Sequence, residues 1–348
     1  MNKLVSLIAP CYYSEAFIKR FLDSLLSQTY PNVEIYLVND GSKDKTEEII
    51  LSYNQRFVDK GYDLHYIYQD NTGVSGAINR ALPLIKGEYF TWIDADDFFP
   101  PEAIERKVAY LEAHPEVSIA LCKAIVIDND TYKKYGVLRR RNKDVSSMFW
   151  DMVDNKDSIF IPGCYMVRLS DYKRVMPASF QIYEAPTGIG QNNQMLLPIV
   201  YNGKCGLIDE YLHYYVVRGD SVSHVSLSYE QSLKRSFDEE TVLCNVVKDM
   251  HISDEKKSLI NKKIESRLLH RRLAICDYYN IAKDVDIYKQ RLLEVGEYDG
   301  EARYHVRQVE SPFFRKISML CKHWKVLSQK LTHLINIIDT PKVVLPCE

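Results

Sequence analysis

Along the first third of the chain, short apolar runs alternate with segments whose apolar residues recur at helical spacing. Leu4 to Ala9 is the first run, and Phe17, Ile18, Phe21, Leu22, Leu25 and Leu26 then follow a helical period until Tyr30-Pro31 ends it. Val33 to Val38 predicts a second strand and Asn39-Asp40-Gly41-Ser42 a turn. Ile49, Ile50, Tyr53 and Phe57 then mark one face of a single helix from Lys45 to Asp59. Leu64 to Tyr68 reads as a third strand. The loop Asp70 to Gly73 opens a helix reaching Ile85, and Tyr89 to Ile93 is a fourth strand, ending in Asp94-Ala95-Asp96-Asp97. Pro100-Pro101 suits the first turn of a helix reaching His114, and Val117 to Ile127 is β-rich. Arg139 to Lys143 reads as a solvated basic turn, with contact to a phosphate-bearing acceptor as the alternative. From 145 to 224, short strands, Gly and Pro follow no single period, and beyond Ser228 Lys/Glu/Leu segments predict a helical extension. The expected division is 1–225 and 226–348.

Strands separated by helices pair in parallel, and right-handed crossovers bring their C-terminal ends to one edge of the sheet. Ligands of such sheets bind at that edge. Pro10 to Tyr13, Asn39-Asp40, Asp70-Asn71 and Asp94 to Asp97 follow the four strands, so sequence order alone gathers carboxylates in one crevice. Asp is also an ordinary turn and N-cap residue. The acidic tetrad nonetheless follows a buried strand, with Asp40 at a second strand end, and that favours a site. Hard oxygen donors of this kind suit Mg²⁺ or Mn²⁺.

The 348 residues, 46% hydrophobic, are enough for one large domain or two ordinary ones. With 45 Lys+Arg against 47 Asp+Glu there is no basic excess to recruit nucleic acid. The eight cysteines form no CxxC pair and no zinc-finger spacing, which is the pattern of reduced core thiols in a cytoplasmic protein. The run before Pro10 is about half the length of a signal-peptide core. No window approaches the roughly twenty apolar residues of a membrane span. From Ser311 to Ile338 there is no acidic residue, and 313–338 has the make-up of a cationic amphipathic helix. Such a helix suits the inner face of an anionic membrane or packing against protein equally well.

Val5-Ser6-Leu7-Ile8-Ala9-Pro10-Cys11-Tyr12, Leu25 to Pro31, Val38 to Thr46, Asn71-Thr72-Gly73-Val74-Ser75, and Gly87 to Phe90 leading into Asp94-Ala95-Asp96-Asp97 together resemble the family 2 glycosyltransferases. The resemblance covers residues 4 to 115, and more weakly 160 to 225. It implies an α/β GT-A fold with a helical C-terminal extension. The implied activity is metal-dependent, inverting transfer from a nucleotide sugar, usually UDP-linked, to a hydroxyl of a glycan or lipid-linked glycan in bacterial surface polysaccharide synthesis. Pro10 and Tyr12 would border the nucleobase and Asp40 would accept a hydrogen bond from it. Asp94 would face the ribose or a phosphate. Asp96 would hold Mn²⁺ or Mg²⁺, with Asp97 and His224 as further ligand candidates, and Arg218 would meet the diphosphate. Neither a QxxRW motif nor a membrane span is present, which argues for the addition of single sugars or short runs.

An inverting transferase needs a carboxylate to deprotonate the acceptor hydroxyl. The family supplies it from a Glu-Asp pair, and the equivalent position here holds Gln191-Asn192, whose amides cannot act as a base. Glu184 or Asp209 could serve. The amides could instead position an acceptor while another group takes the proton, or the chain could be a degenerate transferase that binds a sugar nucleotide or glycan as a partner subunit. No Gly-rich phosphate loop follows the first strand, which disfavours a nucleotidyltransferase or a dinucleotide-binding oxidoreductase.

Overall fold

A computed structural model describes residues 2–157, 159–177, 179–218 and 226–315. The described residues cluster into two units, one of 2–184 with 191–218 and the other of 185–190 with 226–315.

The first unit is built on one sheet of eight strands. In chain order its elements are β1 (Val5–Cys11), α1 (Ile18–Leu26), β2 (Val33–Asp40), α2 (Thr46–Ser52), α3 (Asn54–Lys60), β3 (Asp63–Gln69), α4 (Gly73–Ala81), β4 (Tyr89–Trp92) and α5 (Ala103–Ala113). There follow β5 (Val117–Asp128), β6 (Lys134–Leu138), α6 (Met148–Val153), β7 (Tyr165–Arg168), α7 (Leu169–Val175), α8 (Gln191–Asn202) and β8 (Lys204–Val217). The order across the sheet is β3-β2-β1-β4-β7-β5-β6, with β8 paired to β5. Strands β1 to β4 are mutually parallel, as their spacing by helices requires. Strand β7 runs against both β4 and β5, and β8 runs with β5. Two reversals restore the direction, so β8 ends at the same edge as β1, β2 and β4, while the starts of β5 and β8 lie at the opposite edge.

Strands β1, β2 and β4 are buried along nearly their whole length because helices cover both faces of the sheet, and they read as continuous apolar runs. The expected helix 45–59 is divided at Tyr53. Its ring turns into the core while its hydroxyl donates to Asp23 Oδ1 at 3.0 Å, and its N–H tightens back onto the Ile50 carbonyl. The helix expected to reach Ile85 ends at Ala81 and continues as a 3₁₀ turn, because Pro83 has no N–H to give the ladder. The solvated-turn reading of Arg139 to Lys143 fails at Arg140, which is buried and ion-paired with Asp151 at 2.5 Å.

The second unit holds α9 (Tyr229–Asp249), α10 (Asp254–Tyr279), α11 (Val285–Glu294) and α12 (Gly300–Glu310), with α10 packed against the other three. Ser228 and Gln231 form a capping box at the start of α9, and Asn280 closes α10 in the left-handed conformation. Among the described residues no helix is long and apolar enough to cross a membrane. Residues 316–338 of the expected cationic helix lie outside the described residues.

At the N-terminal edge of the sheet, buried Glu34 accepts the Ser6 hydroxyl at 2.5 Å and the N–H groups of Lys86 and Gly87 at 2.6 and 3.2 Å. This fixes the turn that feeds β4. Glu34→Ala leaves the Ser6 hydroxyl and the Lys86 N–H unpaired, and urea unfolding is expected to register a loss of about 2–3 kcal/mol.

Candidate active site

The loop after β4 gathers three acids. The Asp97 N–H bonds the Asp94 carbonyl at 3.1 Å, closing a tight turn, and one carboxylate oxygen from each of Asp94, Asp96 and Asp97 lies within 4.8 Å of the others. Asp97 is fully buried. The Val216 N–H donates to its Oδ1 at 2.7 Å, and His213 Nε2 lies 3.0 Å from its Oδ2, so the acidic loop is clasped to the end of β8. Both Asp97 oxygens are engaged within the protein, which leaves Asp94 and Asp96 as the carboxylates with capacity for a cation.

Two arginines face the cluster. Arg218 Nη2 sits 3.1 Å from Asp96 Oδ2, with its guanidinium 4.3 Å from the Phe17 ring centroid, and Arg20 donates to the Asp96 carbonyl at 2.7 Å. Burial raises the Asp94 carboxyl well above its ordinary range, and the charges of Asp96 and Asp97 push it the same way. Asp96 is raised by burial too, with Arg218 opposing. Three acids thus face two arginines, a set of oxygen donors that a divalent cation would bridge.

Behind Asp97, burial and the Lys107 charge lower His213 to about 3, so its imidazole is neutral. Lys107 is itself buried, donating to the Gly163 carbonyl at 2.5 Å and lying 4.3 Å from the Phe99 ring centroid. Gly163 has a φ of +81°, and a Cβ there would come within 2.5 Å of the His213 ring, so glycine is required on both counts.

Pro10 lies beside Val38 of β2, one residue before β1 ends at Cys11. Tyr12 follows it and is 52% exposed, which excludes core packing as its role. Asp40, at the end of β2, is buried. It accepts the N–H groups of Thr72 and Gly73, each at 2.9 Å, and the Gln69 amide at 2.7 Å, so it holds the start of α4 against β2. Glu184 meets the same helix start, accepting the Ser75 N–H at 2.8 Å beside Gly73, whose positive φ and crowding leave no room for a Cβ. Gln194 of α8 bonds the Tyr183 backbone in both directions, which ties Glu184 to α8 as well. At the start of α8, Asn192 accepts the Tyr165 hydroxyl at 2.8 Å. Burial and the Asp94 charge push that phenol up. Gln191 is buried with its Nε2 unpartnered among the described residues. Asp209 is exposed and paired with Lys123 at 2.5 Å, four residues before His213, roughly 13 Å along the strand. His224 lies outside the described residues.

Residues 6–176 match the family model "Glycosyl transferase family 2". An uncharacterized glycosyltransferase of Rickettsia typhi is 38% identical over 137 residues, 39% of this chain and 41% of the relative. Residues 6–176 thus belong to glycosyl transferase family 2. The chain spans about 41% of the length of that relative. Residues 1–349 of TarS from S. aureus, solved with UDP-GlcNAc, superpose at a TM-score of 0.61 with 18% identity, over 88% of this chain and 90% of that one. Mannosyltransferase PcManGT from Pyrobaculum calidifontis, solved with GDP-Man and Mn²⁺, gives 0.52 with 15% identity, over 92% and 88%. The likeness establishes the GT-A fold, helical C-terminal region included.

Four residues that shape this family 2 site escape sequence reasoning. Arg20 looks like the polar face of α1, Lys107 like that of α5, Tyr165 like core, and His213 like one more ring in Tyr211 to Tyr215. None has a local pattern; each acts through a partner far away in sequence. Because removing the imidazole leaves the buried Asp97 carboxyl without one of its two partners, His213→Leu is expected to lower stability by about 1–3 kcal/mol in urea unfolding.

Proposed function

We propose that the chain transfers a sugar, with inversion, from a nucleotide sugar to a hydroxyl of a glycan or lipid-linked glycan, in the cytoplasm or at the inner face of the membrane. The observation that carries the reading is the acidic loop after β4, with Arg218 against it and Tyr12 exposed at the same edge of the sheet. The catalytic domain is taken as 1–225 and the helical extension as 226–348.

In this reading Tyr12 stacks on the base, with Pro10 bordering it. Asp40 acts on the nucleotide side, holding the start of α4 and presenting its carboxylate to the base. Asp94 and Asp96 would hold the cation, and their oxygen donors suit Mn²⁺ or Mg²⁺. When bound, the cation supplies charge stabilisation to the departing nucleoside diphosphate. Arg218 shares that charge, since guanidinium pairs well with phosphate. The acceptor oxygen bonds to the anomeric carbon as the bond to the diphosphate breaks on the opposite face, and the acceptor proton passes to a carboxylate. Glu184 is preferred over Asp209 as that carboxylate, because it is tied to α4 and α8 at the edge where the donor binds. UDP is the leading nucleotide, on the resemblance and on the UDP-GlcNAc held by TarS. Bacterial surface polysaccharide or glycolipid is the product class, in keeping with the bacterial relatives.

A second reading, a sugar-nucleotide-binding partner subunit without efficient transfer, is favoured by the amides of Gln191 and Asn192 where the family places its acids.

Calorimetric titration of UDP, GDP, CDP and ADP, with and without Mn²⁺, is expected to give Mn²⁺-dependent binding of one nucleotide, abolished by Asp96→Ala. Tyr12→Ala should weaken that binding by roughly 1–3 kcal/mol, the worth of a stacked base. Absence of any nucleotide binding would refute the donor site. Glu184→Gln should lower transfer about 10²–10⁴-fold with nucleotide affinity unchanged; an unaltered rate would exclude Glu184 as the base.

A further inference from the structure

At the opposite edge of the sheet, a cavity of about 1010 Å³ opens between α5, the loop after β6, α6 and the starts of β5 and β8. Nothing in the proposed transfer uses it. Phe149, Trp150 and Tyr201 form one wall, with Phe149 edge-on to both neighbours at ring centroid distances of 5.1 and 4.8 Å, and Trp150 is 38% exposed. Such a platform offers aromatic faces to the C–H faces of a sugar ring. Arg140 lines the cavity while 8% exposed, and its Nε is buried with no hydrogen-bond partner among the described residues. Its Nη2 donates to Asp151, to the Ser147 hydroxyl and to the Asp144 carbonyl, and its Nη1 donates to the Asp157 carbonyl, which leaves Nε as the open donor. Lys143 and Lys204 also line the cavity, and neither has an ion-pair partner among the described residues. Lys123 is held by Asp209, whose carboxyl is lowered by Lys123 first and by Lys143 and Arg139 as well, so the acid lies in a positive field. The basic run that reads as a solvated turn in sequence is therefore folded into the wall of a cavity.

We infer that this cavity is an anchoring site for a saccharide bearing an acidic group, a phosphate or a carboxylate, whose anion meets Arg140, Lys143 and Lys204 while its ring stacks on Trp150 or Tyr201. The inference rests on the transferase reading only for the glycan nature of the ligand. The site lies at the edge opposite the acidic loop, so it holds a glycan remote from the reacting hydroxyl.

The test is direct binding without nucleotide, read by saturation-transfer NMR and tryptophan fluorescence. The probes are hexose and N-acetylhexosamine 6-phosphates, the corresponding uronates, the neutral parent sugars, and inorganic phosphate. The acidic sugars are expected to bind at least ~10-fold more tightly than both the neutral sugars and inorganic phosphate, the worth of one charge-assisted contact. Lys143→Glu with Lys204→Glu should abolish that preference, and Trp150→Ala should weaken every sugar. Far-UV circular dichroism and Mn²⁺-dependent nucleotide binding should remain as in wild type, so failure here is separable from failure of the donor site. Equal binding of inorganic phosphate would overturn the saccharide assignment. Equal binding of neutral sugars would overturn the anion assignment, and no binding of any probe would overturn the site.

Discussion

The site depends on one buried carboxylate. Asp97 takes its hydrogen bonds from Val216 N–H and from His213, on a strand more than a hundred residues away in sequence, and this joins the loop after β4 to the end of β8. A carboxyl group without such partners would be costly to bury. With them, the loop is fixed in the turn that aims Asp94 and Asp96. The same clasp brings Arg218, two residues past Val216, to Asp96. Lys107, bonded to the Gly163 carbonyl, adds to the burial that keeps His213 neutral. The acids that could hold a cation and the arginine that could meet a diphosphate are thus set by a single buried polar network.

Rigidity there contrasts with reserve elsewhere. Asp40 and Glu184 both take backbone N–H groups at the start of α4, so two carboxylates share one helix terminus, where the helix dipole and unpaired donors favour negative charge. Tyr12 follows the same sheet edge and is half exposed, so its ring adds little to the core. Gln191, buried with an unpartnered amide, is a second such reserve.

Much of this was legible in the sequence. The four parallel strands, the helices between them and the carboxylates at their ends follow from periodicity and the crossover rule, because each strand and its turn are local. The amide pair at the start of α8 was legible too, since residue identity at a motif position needs no coordinates. The break at Tyr53 was not legible, because its cause is a hydrogen bond to Asp23 on α1. Arg140 was misread because a run of basic residues carries no trace of the Asp151 carboxylate that draws one of them inward.

The sequence by itself determined the α/β class, the parallel direction of the first four strands, the acidic edge and the helical nature of the C-terminal region, because these rest on interactions between near neighbours or on rules of chain topology. Only the tertiary structure decided that β7 reverses, that β8 returns to the acidic edge, and that Asp97 faces inward while Asp94 and Asp96 keep free oxygens. It also decided that Glu184 joins α4 whereas Asp209 turns to Lys123. The reason is the same in each case: a side chain takes its role from the charge and hydrogen-bonding capacity of residues that folding brings beside it, and sequence separation conceals those partners.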